Sequence, residues 1–418
     1  MSDARAPGDL SVFSTADHSP FVDIRGAGRL AVDLTLRVTD VVETMHDNIA
    51  QLPPMFGRAR VRPATGLTAF VYRRVRGVTR LVGGTLDAML APLATLVPVT
   101  AEWPRRDAIV GAINGVLGDH LEATDNPLQI PMQLRRRRPA VDPLGDPSRV
   151  VATRPRVVVM VHGLCTTDAV WQRGSHNHGV RLADDLDAEL VYLRYNSGRH
   201  VSTNGAQFAR LLEAMLGAWT QPLREIVLVG HSMGGLVIRS ACAAGDAAGH
   251  AWPQRLRALV FLGTPHHGAP LERHGHGVDR LLAASPYTVA FAHVARLRSA
   301  GITDLRHGSV LDSDWTGRDR FARGGYRCRP QPLPRHVPAF TIAGSLSRTP
   351  GSRGRSPRGD GLVPVASALG QPADPAWALG FAPSSRFVAY GTGHLDLLAS
   401  ESVYARMQRW LAAGRARR

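Results

Sequence analysis

The pentapeptide Gly230-His231-Ser232-Met233-Gly234 constrains this chain more than any other stretch. It follows Glu225-Ile226-Val227-Leu228-Val229, a run of strand length, and precedes Gly235-Leu236-Val237-Ile238, which reads as the opening of a helix. A serine on so tight a strand-to-helix turn has its hydroxyl pushed out of the sheet, and the flanking glycines relieve crowding around the strained backbone. Ser232 is therefore a candidate nucleophile.

The surrounding rhythm supplies a matching scaffold. From residue 156, strand-like runs at 156–161, 189–195, 225–229, 257–262, 338–343 and 386–390 alternate with helix-like runs at about 178–187, 204–219, 234–245 and 395–413. Such alternation predicts a mostly parallel sheet flanked by helices, spanning 156–418. The interval from about 268 to 337 is too long for a plain loop and has its own helical pattern, so it reads as an inserted cap.

Upstream, residues 1–26 read as disordered and 27–125 as a helical domain of at least three helices. Residues 126–155, with several prolines and the run Arg135-Arg136-Arg137-Arg138, read as a linker with solvated arginines. In the second helix Phe70, Val71, Val75, Val78, Val82, Leu86, Met89 and Leu93 share a stripe, with Arg73, Arg74, Arg76 and Arg80 mostly off it. Such a stripe usually packs on a neighbouring helix or adjoining domain, and that is the expectation here. A basic amphipathic helix can instead lie on a membrane surface, so peripheral contact with a lipid interface is the alternative.

The 418 residues carry a net charge of +16, yet every one of the 50 basic residues is arginine. Total replacement of lysine points to coding bias rather than to selection for a partner. The excess is also uneven, with 18 arginines against 16 acids in residues 1–150 and 32 against 18 thereafter. The arginines cluster in the loop-like stretches 318–335 and 348–358 rather than in a stripe with aromatic or helical readout, which argues against nucleic acid. These stretches border the cap and precede Asp360, so they read either as an electropositive rim facing anionic interfaces or as solvated loops. Cys165, Cys242 and Cys328 are scattered singly, giving neither a disulfide framework nor metal spacing. The first residues contain no apolar leader core, and Asp87, Pro92 and Pro98 interrupt the apolar run 81–99. The expectation is a cytoplasmic protein without a membrane span.

A serine nucleophile needs a base, an acid to orient that base, and donors for the developing oxyanion. His394, in Gly391-Thr392-Gly393-His394-Leu395 after the last strand and at the start of the final helix, is the candidate base. Asp360, in Gly359-Asp360-Gly361 after the run 338–343, is the candidate acid, with a self-bonded turn aspartate as the plainer reading. His162-Gly163-Leu164 follows the first strand of the sheet, so the backbone N–H groups of Leu164 and Met233 are candidate oxyanion donors. The order Ser232, Asp360, His394 suits this architecture. Among the rivals, His231 is expected to point away and pack, and His266 and His267 to be structural. His274 and His276 have metal-like spacing without acidic company beyond Glu272, while Asp304 and Asp396 compete for the acid role.

Taken together, these motifs resemble the α/β-hydrolase fold. More narrowly they are similar to bacterial lipases and esterases of the kind grouped with PGAP1-like proteins. The resemblance spans about 156–400 and rests on His162 to Leu164, Tyr195 to His200, Gly230 to Gly235, Gly263 to Gly268, Gly359 to Pro364 and Gly393-His394. It implies a serine hydrolase acting on lipid-like or other acyl esters, with Ser232 acylated and then released by water, His394 shuttling protons and Asp360 holding its tautomer. No cofactor and no metal are expected. An acyltransferase, thioesterase or polyester depolymerase would use the same residues, and a non-catalytic scaffold is the reading from another class. Cys165 departs from the second small residue that many lipases carry after the H-G-x turn, and residues 28–124 have no counterpart in a minimal lipase.

Overall fold

The central strands are dominated by valine, leucine, isoleucine and methionine, which suits a sheet buried on both faces. In the computed structural model, which describes residues 20–50, 67–96, 106–136, 154–269, 299–318, 328, 331–350, 359–372 and 374–413, they form one seven-stranded sheet. Its strands are β1 (Gln133–Arg136), β2 (Arg156–Val161), β3 (Glu189–Arg194), β4 (Glu225–His231), β5 (Leu256–Leu262), β6 (Ala339–Ser345) and β7 (Arg386–Tyr390). They lie in the order β1-β3-β2-β4-β5-β6-β7, all parallel except β1, which runs antiparallel to β3.

Helices cover both faces. On one side α4 (His178–Leu186) packs on β2 and β3, and the C-terminal helix lies beside α4 and β7. They enclose a cluster that includes Val158, Met160, Trp171, Leu182, Val403, Met407 and Leu411. On the other side α6 (Met233–Ala247) packs against β2, β4 and β5, with α5 (Val201–Ala218) laid along it. Among the described residues two short helices follow, α7 (Ala300–His307) and α8 (Val365–Ala368), before the C-terminal α9 (Glu401–Ala413).

This connectivity creates the site. The chain passes from β2 outward to β3, then returns across β2 to place β4 on its other side. The carboxyl ends of β2 and β4 therefore flank a topological switch point, where open α/β sheets form their binding crevice. Register aligns the two ends, with Val161 opposite Gly230. The His162 turn and Ser232 consequently emerge side by side.

The chain divides into two compact units, one holding Pro104–His120 and Ile130–Arg418, the other Ala16–Trp103 and Leu121–Gln129. Several expectations change. The third helix, α3 (Arg106–Ala123), belongs up to His120 with the sheet rather than to a helical domain over 27–125. The expected linker 126–155 contains β1, and its arginines are not simply solvated: Arg135 pairs with Asp168 at 3.2 Å and Arg136 with Glu189 at 2.7 Å. The first helix, α1 (Pro20–Ala50), begins inside the stretch expected to be disordered, whose residues 1–19 lie outside the described residues. Of the expected cap, 270–298 lies outside them too, as do His274 and His276 and most of both arginine-rich segments.

In the smaller unit α1 packs along α2 (Leu67–Leu96). Asp87 takes two arginines of α1, Arg25 at 2.7 Å and Arg29 at 2.6 Å, and these hydrogen bonds lower its pKa to about 2. The α2 face turned to α1 includes Gly83, where an added Cβ would strike Val32. Of the stripe expected to pack on a neighbour, Val75, Val78 and Val82 are exposed, while the side chains of Phe70, Val71, Leu86, Met89 and Leu93 lie outside those described.

Candidate active site

Ser232 sits at φ 53° and ψ −124°, a left-handed conformation that side chains rarely adopt. Such strain costs on the order of 1–3 kcal/mol and persists only where the surroundings over-determine it. Here the Ser232 N–H donates to the Leu262 carbonyl at 2.8 Å, and the Ser232 carbonyl accepts from the Gly235 N–H at 3.1 Å. The side chain does not cap α6, although Ser232 occupies the N-cap position. The turn holds the residue by its backbone and leaves the hydroxyl for other use.

Asp360 and His394 come together on the loops that leave β6 and β7. His394 Nδ1 donates to Asp360 Oδ2 at 2.7 Å, and the His394 N–H donates to the Asp360 carbonyl at 3.0 Å. Asp360 Oδ1 accepts from the amides of Leu362 at 3.0 Å and Val363 at 2.8 Å. The plainer reading of Asp360 as a self-bonded turn residue thus holds for one oxygen while the other orients the imidazole. Burial by itself would raise this carboxyl's pKa; the neighbouring imidazole and the two amides outweigh it, and the net shift is downward. The carboxylate stays ionised, as an orienting acid must.

Two residues tie this pair to Ser232. His231 Nε2 donates to the His394 carbonyl at 3.1 Å, and the two rings lie 4.7 Å apart. His231 does pack inward, against Trp171, but it also anchors the loop carrying the candidate base. Gly263, at the end of β5, has φ +56° and lies under the pair. A Cβ there would come within 3.2 Å of both Asp360 Oδ2 and His394 Cε1 and within 2.9 Å of Leu397 Cδ1. Gly263→Ala should therefore lower kcat by about 100-fold, since misplacement by an ångström carries that cost, with little change in global fold. Steady-state kinetics beside far-UV circular dichroism checks this; undiminished kcat would show that the contact leaves the pair in place.

The candidate oxyanion turn lies against the nucleophile. A Cβ on Gly163 would approach Ser232 Cβ to 3.1 Å, which puts Leu164 one residue from that contact, while Met233 opens α6 directly after Ser232. The turn is held from behind. Tyr195 Oη donates to the His162 carbonyl at 2.8 Å, its ring stacks on His162, and His162 Nδ1 donates to the Gly163 carbonyl at 2.9 Å. Cys165, at φ 58°, donates its N–H to Ser197 Oγ at 3.2 Å. Helix α3 closes the back of the same turn, so near at Gly115 that any side chain would run into Cys165.

The rivals have other work. Asp304 accepts from His200 Nδ1 at 3.0 Å and from the Val201 N–H at 2.8 Å. Asp396 accepts from the Gly393 N–H at 3.1 Å, a local turn bond. His266 is buried against Phe261 and Phe381. One local detail differs from expectation: His394 does not open the final helix, because a 3-10 turn, Asp396–Leu398, comes before α9.

Residues 176–337 match the family described as the PGAP1-like alpha/beta domain. The match covers α4 to α7 and Ser232 but stops before Asp360 and His394, and it spans less than half of the chain. The larger unit has the α/β-hydrolase fold. Comparison with curated protein sequences gives no match. Among solved structures, the mature lipase BlEst2 of Bacillus licheniformis is similar at 20% identity over 64% of this chain and 96% of its own, with a TM-score of 0.40. The ester-hydrolase EH1AB1 from the Lake Arreo metagenome shows 14% identity over 80% and 96%, TM-score 0.39. The RedJ thioesterase of Streptomyces coelicolor shows 20% over 66% and 96%, TM-score 0.36.

In this hydrolase fold several imidazoles are buried as neutral structural groups. Burial lowers the pKa of His162 and His178 to about 4 and that of His231 to about 3. His178 Nε2 donates to the Leu397 carbonyl at 2.9 Å, so it too holds the loop after His394. In the unfolded chain these groups titrate near 6.5. A base whose folded pKa is depressed adds stability that is complete above the unfolded value and is lost as pH falls below it. From these three residues the protein should be about 3–4 kcal/mol less stable at pH 5.5 than at pH 7, measured by denaturant midpoints. A flat stability profile over that range would contradict the neutral, buried assignment.

Proposed function

We propose that this protein is a serine hydrolase that cleaves carboxylic esters through an acyl-enzyme on Ser232. The observation that carries this reading is the 2.7 Å bond between Asp360 and His394 on loops anchored by His231, the neighbour of a strained serine at the sheet's switch point. With Nδ1–H given to Asp360, His394 keeps its Nε2 lone pair as the proton acceptor. It takes the proton from the Ser232 hydroxyl as Oγ attacks the ester carbonyl, and Asp360 stabilises the imidazolium. The N–H groups of Leu164 and Met233 serve as donors to the oxyanion. Collapse of the intermediate expels the alcohol, which receives the proton from His394. Water, activated by the same imidazole, then releases the acid and restores Ser232.

The substrate class is a lipid-like or other acyl ester. The test is turnover of p-nitrophenyl esters of increasing chain length by the wild type and by Ser232→Ala. Turnover lost in the variant supports the reading, and a preference for long chains supports a lipid ester. Rapid acylation with release only to an added alcohol, amine or thiol acceptor would instead make the protein an acyltransferase. Absence of both acylation and turnover would overturn the enzymatic reading.

A further inference from the structure

Helix α3 precedes the sheet in the chain and lies outside the matched residues 176–337, yet it sits against the candidate oxyanion turn. Its Gly111, Gly115 and Gly118 fall on one side of the helix, at intervals of four and three residues. A Cβ on Gly111 would come within 3.0 Å of the Thr166 carbonyl carbon and 2.9 Å of Thr167 Cγ2. One on Gly115 would strike Cys165 Sγ and come within 2.6 Å of Cys165 Cα and 2.7 Å of its nitrogen. One on Gly118 would strike the side chain of Asn196, the neighbour of Ser197. The helix therefore rests directly on the backbone of Cys165 and Thr166.

Those two residues fix the donor. Thr166 Oγ1 donates to the Gly163 carbonyl at 3.0 Å, beside the bond from His162 Nδ1. In a trans peptide unit the carbonyl and the N–H point opposite ways, so pinning the Gly163 carbonyl sets the direction of the Leu164 N–H. Among the described residues that N–H meets no acceptor, although Leu164 is buried. It is an orphan donor of the kind a bound group satisfies. Cys165 follows at φ 58°, a conformation that a side chain holds only where its surroundings impose it. The contact with Gly115 and the bond to Ser197 Oγ supply that constraint.

The helix is itself anchored. Asp107 in its first turn pairs with the buried Arg194 at 2.6 Å, Ser299 Oγ donates to the Gly115 carbonyl at 2.6 Å, and Asn196 Nδ2 donates to the Gly118 carbonyl at 2.8 Å. A methyl added at Gly115 thus displaces the turn rather than the helix.

We propose that α3 is a positioning element for the oxyanion donor: through Gly111 and Gly115 it holds Cys165 and Thr166, and these aim the Leu164 N–H. The inference rests on the serine-hydrolase reading and adds to it a part from upstream of the sheet. Gly111 and Gly115 act only through the turn, as positioning residues.

The test uses the full chain with Gly115→Ala, Gly111→Ala, Thr166→Val and the conservative Thr166→Ser, each checked for its fold by circular dichroism. The measurements are kcat and KM on a short soluble ester and Ki for an alkyl trifluoromethyl ketone. Ser232 Oγ adds to the ketone carbonyl carbon, its proton passes to His394, and the ketone oxygen becomes an anion where the ester's would form. Its Ki therefore reads the donors directly. Gly115→Ala should lower kcat about 100-fold, the effect of one oxyanion donor lost. Gly111→Ala, whose methyl meets the turn less closely, should lower it about tenfold and carries the test where Gly115→Ala does not fold. Thr166→Val should also cost about tenfold, the worth of one ordinary hydrogen bond, and Thr166→Ser should restore the wild-type rate. In each weakened variant Ki should rise by the factor that kcat falls, with KM unchanged. Undiminished kcat in folded Gly111→Ala would overturn the proposal, as would kcat lost with Ki unmoved, or Thr166→Ser no better than Thr166→Val. A wild type that neither turns over esters nor binds the ketone would remove the hydrolase reading, and this proposal with it.

Discussion

Ser232→Ala is expected to lower kcat for ester hydrolysis by about 10⁶-fold, and His394→Ala by a similar factor, because nucleophile and base act as one unit. The double variant should be little worse than either single one. A residual rate above that of water would come from substrate binding and the oxyanion donors alone. The comparison is informative because both side chains are almost fully buried at the sheet edge yet neither carries the packing of the core. Removal of the Ser232 hydroxyl should leave thermal stability nearly unchanged, whereas His394→Ala also strands the buried Asp360 carboxylate and should lower it. A His394→Ala variant retaining more than about a hundredth of the wild-type rate would be incompatible with general-base catalysis by that residue.

Asp360→Asn should cost about 10⁴-fold in kcat while leaving the fold intact. Asparagine keeps an oxygen to accept from the amides of Leu362 and Val363, so the loop after β6 retains its local bonds. Its NH₂ group then faces His394 Nδ1 and forces that nitrogen to accept. The proton moves to Nε2, the wrong side for taking one from Ser232. Asp360→Ala would fail differently: it also strands the Leu362 amide and the buried Val363 amide, at about 1–3 kcal/mol of stability. Equal activity in the Asn variant and the wild type would remove Asp360 from the mechanism.

What could be read from the chain before any coordinates follows the range of the interactions involved. The serine turn was legible because a strained strand-to-helix corner demands small residues within a few positions of Ser232. Asp360 and His394 were legible because each sits in a glycine-rich loop just after an apolar strand. The supports were not. His231 occupies the unrestricted position of the motif, and its bond to the His394 carbonyl spans 163 residues. Tyr195, which steadies the His162 carbonyl, looks from sequence like any strand-end aromatic.

The errors have the same origin. Strand β1 is four residues long and lies inside an arginine-rich stretch, so no alternation betrays it; its ion pairs to Asp168 and Glu189 come from distant segments. Helix α3 read as part of a separate helical domain because its apolar side, Ile109, Ile113, Val116 and Leu117, follows two other helical patterns in the chain. Gly115 instead gives the Cys165 turn room to lie against the helix. The stripe on α2 shows periodicity plainly, but periodicity does not say what, if anything, covers it.

The most direct measurement is mass spectrometry of the protein after reaction with a fluorophosphonate, which phosphonylates an activated serine and no resting one. The account predicts a single adduct on the peptide that contains Ser232, formed rapidly in the wild type and not in His394→Ala. An adduct on a different residue, or one on Ser232 that forms equally fast without the imidazole of residue 394, would contradict it.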